Sequence, residues 1–155
     1  SLRLGSVIYA GADQDLDYFR NLYLDGFNEV AENITVYTSA SDAGLGLSRL
    51  FTSGSARLGG SIGDLTPADL DALREGGVTS FVDVTDATRA AGGGDIFSHS
   101  YWYANPWVNM DVINILRPNA PPVQRALFRE PREALWPFPT DYPSRARDLH
   151  TATHR

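Results

Sequence analysis

Short apolar runs alternate with stretches of helical spacing along most of the chain. Leu4 to Ala10 (LGSVIYA) is a compact apolar run that predicts a buried strand. Gly-Ala-Asp-Gln-Asp at 11–15 is a turn-rich acidic connection, and Leu16, Phe19, Tyr23, Phe27 and Val30 then recur at the spacing of one helix face. That helix is expected to start near Asp13 or Asp15, where a carboxylate can accept unpaired backbone N–H groups, and to end near Glu32 and Asn33. Ile34 to Thr38 (ITVYT) is β-branched and aromatic and predicts a second strand. A polar step, Ser39 to Asp42, follows it, and Leu45, Leu47, Leu50 and Phe51 suggest a short helix.

Residues 52–63 form a Gly- and Ser-rich loop. Thr66-Pro67 opens the next helix, with the missing proline N–H harmless in the first turn, and Gly76-Gly77 stops it. Val78 to Val84 (VTSFVDV) predicts a third strand, and a loop centred on Gly92–Gly94 leads to Ser98-His99-Ser100. Asn105-Pro106 starts a helix with Val108, Val112, Ile115 and Leu116 on one face, ending before Pro118. Seven of the nine prolines lie beyond residue 117, so 118–155 is expected to be an irregular Pro/Arg-rich tail, packed by Trp136 and Phe138 and disordered near Arg155. Residues 1–117 are expected to form the α/β domain. The β-α-β-α-α-β-loop-α order predicts three parallel strands with crossover helices, a thin sheet for a complete doubly wound domain, so part of the domain is expected upstream.

Composition narrows the chemistry. The chain has 155 residues, 43% hydrophobic and 21% charged, as expected of a folded domain, and no apolar run approaches the ~20 residues that span a bilayer. Residues 1–10 are too short and too lightly charged for a signal peptide. With no cysteine, disulfides, thiolate metal sites and a cysteine nucleophile are excluded. The basic residues are all Arg, read as composition bias. Residues 1–115 hold 6 Arg against 15 acids, whereas 116–155 hold 7 Arg against 4. The acidic body argues against a nucleic-acid partner.

Working residues in open α/β sheets gather at the carboxyl ends of strands, which here points to Asp13, Asp42 and His99. Asp42 followed by His99 has the acid-then-histidine order of an α/β-hydrolase. Serine attack needs a neutral imidazole to take the hydroxyl proton, and that imidazole needs a carboxylate on its other nitrogen. His99 is the only histidine outside the tail; Asp42 could instead cap the helix that follows it. No cofactor is called for. A second reading stays open, a non-catalytic α/β binding or assembly domain with His99 on the surface; the separation of the two side chains distinguishes the two.

Several stretches resemble a group of uncharacterised bacterial α/β-hydrolases catalogued as a domain of unknown function. VIYAGADQDLDYF (7–19) is similar to that group's strand, Pro-Asp turn and acidic-aromatic helix, with Ala12 in place of the proline. ITVYTSASDAGLGLSRL (34–50) resembles its strand, Tyr-x-Ser, Asp and Ser-Arg pattern, with Gly44 where leucine is expected. ARLG (56–59), VTSFVDVTDA (78–87) and HSYWY (99–103) are similar to its Arg-Leu-Gly loop, its last strand and its histidine motif. The resemblance covers about residues 5 to 115 and implies Asp42 as triad acid and His99 as general base of a serine hydrolase acting on a small acyl or ester substrate. This chain would then be a C-terminal part of the fold, with the nucleophile supplied by a missing N-terminal half or another chain.

The one Gly-x-Ser-x-Gly, at Gly59–Gly63, is not read as a nucleophile elbow: Ser61 has a polar loop before it and no helix directly after it, and the chain order would be Asp…Ser…His. Asp13, Asp15 and Asp17 have calcium-loop spacing but lack the glycine and distal glutamate, so helix capping is the expected role. Tyr101, Trp102, Tyr103 and Trp107 could wall an acyl pocket or pack the core, and His150 and His154 are expected at the solvent surface.

Overall fold

A computed structural model of the chain describes residues 4–10, 23–38, 71, 77–91, 104–116, 119–131, 133 and 135–153. They form β1 (Leu4–Tyr9), a π-helical turn (Tyr23–Phe27) running into α1 (Asn28–Val30), β2 (Ala31–Thr38), β3 (Thr79–Asp83), α2 (Thr85–Ala90), α3 (Pro106–Leu116), a 3-10 turn (Pro122–Arg125), β4 (Trp136–Pro137) and α4 (Tyr142–Thr153). The sheet has the order β1-β2-β3-β4, with each neighbouring pair parallel. The α/β class expected from the alternation of elements is therefore the class observed, with a fourth strand added.

β2 is the best-shielded strand: Ile34, Thr35, Val36 and Tyr37 are all buried, as the unbroken apolar run implies for a strand covered on both faces. It begins at Ala31, three residues before the expected start, because Leu4 pairs with Ala31 and the Asn33 amide donates to the Ala120 carbonyl over 3.3 Å. The helical turn ahead of it is interrupted at Gly26, whose φ of 88° is left-handed and favours glycine. The strand thus takes over where the sequence periodicity still reads as helix.

The segment 118–155 differs from the irregular tail expected of it. Phe138 and Tyr142 are buried and meet edge to face with ring centroids 4.7 Å apart, and Leu127 and Ala146 join them against Tyr37, Val82, Val84, Val108 and Ile115. The prolines are compatible with this order. Pro137 sits on edge strand β4, where a missing N–H is tolerated, and Pro143 lies in the first turn of α4. The 3-10 turn ends at Ala126 in a left-handed conformation, φ 65°. The apolar burial of these side chains, worth about 1.5–3 kcal/mol each, orders a segment whose composition alone suggests disorder. Among the described helices none is long and apolar enough to cross a membrane.

The face of α3 also differs from expectation. Val108, Asp111 and Ile115 are its buried positions, while Leu116 is 65% exposed. An acid therefore occupies the centre of the inward stripe.

Candidate functional site

The carboxyl ends of β2 and β3 lie side by side. Thr38 is in register with Asp83, and the Val84 N–H donates to the Thr38 carbonyl over 2.9 Å. At the end of β3, Asp83 Oδ1 accepts from the Thr85 N–H (2.9 Å) and the Thr85 hydroxyl (2.6 Å), turning the chain into α2. Thr88 Oγ donates to the Val84 carbonyl at 2.9 Å, and the Ala91 N–H closes the last turn on the Ala87 carbonyl at 3.2 Å. The chain returns at Asn105, which is buried and bonds in two directions. Its Oδ1 accepts from the Trp107 and Val108 N–H groups (2.9 and 3.3 Å), capping α3, and its Nδ2 donates to the Ala87 carbonyl (2.7 Å).

Of the residues singled out from the sequence, Asp13, Asp15, Asp17, Asp42, Ser61, His99, Tyr101, Trp102, Tyr103 and His154 lie outside the described residues. Trp107 is half-buried against Phe138 and Tyr142, with centroids 6.2 and 6.0 Å away, which is packing. His150 is exposed on α4.

Behind the rim lies a buried polar knot. Asp111 Oδ2 accepts from Arg125 Nη1 at 2.7 Å and from the Tyr37 hydroxyl at 2.6 Å, and Oδ1 takes a longer contact of 3.4 Å from the Tyr142 hydroxyl. Arg125 Nη2 lies 3.4 Å from Thr35 Oγ1. Both side chains of the ion pair have zero exposure, and Arg125 Nε has no partner among the described residues. Burial pushes the Asp111 carboxyl above its ordinary value, while the Arg125 charge and then the two phenols pull it back. Burial first, and then the Asp111 charge, raise both Tyr37 and Tyr142 far above the usual 10.0.

An expected result follows for alkaline solution. A phenol whose folded pKa exceeds its unfolded one keeps its full stabilising effect below pH 10.0 and loses it as pH climbs from there through the folded value. Stability should fall above that point by about 1.4 kcal/mol per pH unit for each of the two phenols. Tyr37→Phe should remove its share of the slope. Urea unfolding at successive alkaline pH values measures it, and an unchanged slope in the variant would contradict the assignment.

A parallel sheet in chain order, with helices before β2 and after β3 among the described residues, defines an α/β fold, and a family model narrows this. The model for an alpha/beta hydrolase of unknown function (DUF900) matches residues 2–116, and the chain belongs to that family. Comparison with curated proteins and with solved structures gives no match. The family match stops at residue 116, yet Arg125, Phe138 and Tyr142 lie beyond it and complete the same core.

Proposed function

We propose that this chain contributes the acid and the base of a serine hydrolase, Asp42 and His99, and that the nucleophilic serine lies outside these 155 residues. One observation carries the reading: within an α/β-hydrolase family member, the two strands that precede these residues are adjacent, parallel and in register at their carboxyl ends, Thr38 beside Asp83. Asp42 follows β2 by four residues and His99 follows β3 and α2 in the chain, and α/β folds place their chemistry at the carboxyl ends of such strands.

In this scheme the serine hydroxyl adds to the acyl carbon and its proton passes to neutral His99. The imidazolium, held by Asp42, returns that proton to the departing alcohol as the acyl-enzyme forms. Water repeats the cycle: its proton goes to His99, its oxygen takes the acyl group, and the proton ends on serine. Backbone N–H groups near the serine would stabilise the tetrahedral oxyanion. The substrate class is a small acyl ester.

Fluorophosphonate labelling of the intact protein tests this. The label is expected on one serine outside residues 1–155, and its incorporation should fall steeply in His99→Ala. Label on Ser61 would replace the reading with one centred on residues 59–63. No label on any serine would favour a non-catalytic binding or assembly domain.

A further inference from the structure

We infer that the outer face of α3 and the 3-10 turn is a docking surface for a second copy of this chain, paired about a two-fold axis. The observation is an inversion of the usual layering. Among the described residues, 104–116 and 119–128 hold two ionisable side chains, Asp111 and Arg125, and both are turned inward onto each other with zero exposure. The outer side of the same layer carries large apolar groups instead: Ile113 is 48% exposed, Leu116 65%, Val123 66% and Phe128 56%. Four of the seven large hydrophobics exposed among the described residues thus fall within 113–128. Single apolar side chains are ordinary on a surface, whereas a cluster of them depleted of charge marks an interaction site.

The two elements lie side by side, joined by the Asp111–Arg125 pair over Tyr37 and Thr35 of β2. That contact fixes their inner side, so the opposite side is one outer surface. Ile113 is two residues past Asp111, about 200° round the helix, and points away from the sheet. Pro106, Asn109, Ile113 and Leu116 recur at steps of three, four and three, the spacing by which one helix offers a seam to another. Arg117, between the two elements in sequence, lies outside the described residues. The chemistry of the seam selects its occupant. Being apolar and free of charge it is its own complement, and an isologous contact sets Ile113 and Leu116 against the same side chains of the other copy with no like charges opposed. The chain carries a net charge of −6, so two copies meeting through acidic surface repel, and here they meet without that penalty. Ile113 is the middle one of Asn109, Ile113 and Leu116 and lies nearest the axis. The eleven residues of α3 span roughly 16 Å, which with Val123 and Phe128 beside them gives a contact at the small end of protein interfaces, where association is weak and reversible.

Sedimentation velocity of the intact protein over a concentration series tests this. A monomer–dimer equilibrium with a Kd of about 1–100 μM is expected. Ile113→Glu sets two carboxylates against each other at the axis, and Ile113→Lys two ammonium groups; each should weaken the dimer at least about tenfold. Because the side chain is already exposed, the melting temperature of both variants should stay close to wild type. Mixing the two should restore association as a heterodimer, since opposite charges then meet at the same position. A monomer at every concentration overturns the inference, and so does a dimer that Ile113→Glu leaves intact. A mixture that stays monomeric assigns the face to a different partner, and a marked fall in melting temperature in both variants assigns it to another part of the same protein; either result overturns the pairing of two copies. The triad reading stands or falls separately, through the fluorophosphonate label, which both Ile113 variants should take up at the wild-type rate.

Discussion

Arg125→Leu should lower the free energy of unfolding by about 3–5 kcal/mol, a large part of what holds a domain of this size together. The guanidinium lies 2.7 Å from Asp111 with neither side chain exposed, so its removal leaves a carboxylate in the core with, among the described residues, the Tyr37 and Tyr142 hydroxyls to solvate it. The loss should depend on pH. Without Arg125, burial and the missing counter-charge both raise Asp111, and a group raised in the folded state is relieved as pH falls toward its unfolded value. The variant should therefore recover part of its deficit in acid. Asp111→Asn should be worse and should show no such recovery, because the stranded cation cannot shed its proton. The double variant, Arg125→Leu with Asp111→Asn, keeps an acceptor for Tyr37 and should regain much of the loss. Urea midpoints of the four proteins close a double-mutant cycle. A coupling energy near zero would mean the pair is not a unit.

That pair also marks the limit of what the sequence makes legible. The strands were readable because ITVYT and VTSFVDV are β-branched runs set between turn residues, and local chemistry decides such segments. Asp111 was not. It falls between Val108 and Ile115 on the buried stripe of α3, but an acid in a helix is ordinarily assigned to the solvent side, and apolar spacing adds Val112 and Leu116 to Val108 and Ile115 in its place. Its counter-charge sits fourteen residues on, inside a proline-dense stretch. Prolines report local backbone restriction and carry no information about burial, so Phe138 is legible as a packing aromatic, as expected, whereas β4, α4 and the buried Tyr142 are not. Asn105 was half legible: Asn-Pro before an apolar stripe signals a cap, whereas a bond to the Ala87 carbonyl depends on two helices meeting. At the candidate site, residue types and their order are legible in the chain, and the fold adds neighbouring strand ends. Asp42 and His99 themselves lie outside the described residues.

Asp42→Asn and His99→Ala should each reduce ester turnover in the intact protein by about 10⁴-fold, the scale on which a triad loses activity when its acid or base is lost. The two variants fail for different reasons. An amide at 42 can hold the ring but favours the tautomer that cannot take the serine proton; alanine at 99 removes the proton acceptor outright. Their effects should not add, because three groups acting as one unit are disabled by the first loss, and the double variant should turn over no more slowly than His99→Ala. Far-ultraviolet circular dichroism and the urea midpoint should stay close to wild type in all three. A short-chain chromogenic ester assay, run beside Arg125→Leu, completes the contrast. The core variant should lose stability and activity together, whereas the triad variants should lose activity alone. Full turnover in Asp42→Asn or His99→Ala, or losses that simply multiply, would show that these two residues do not act on one proton.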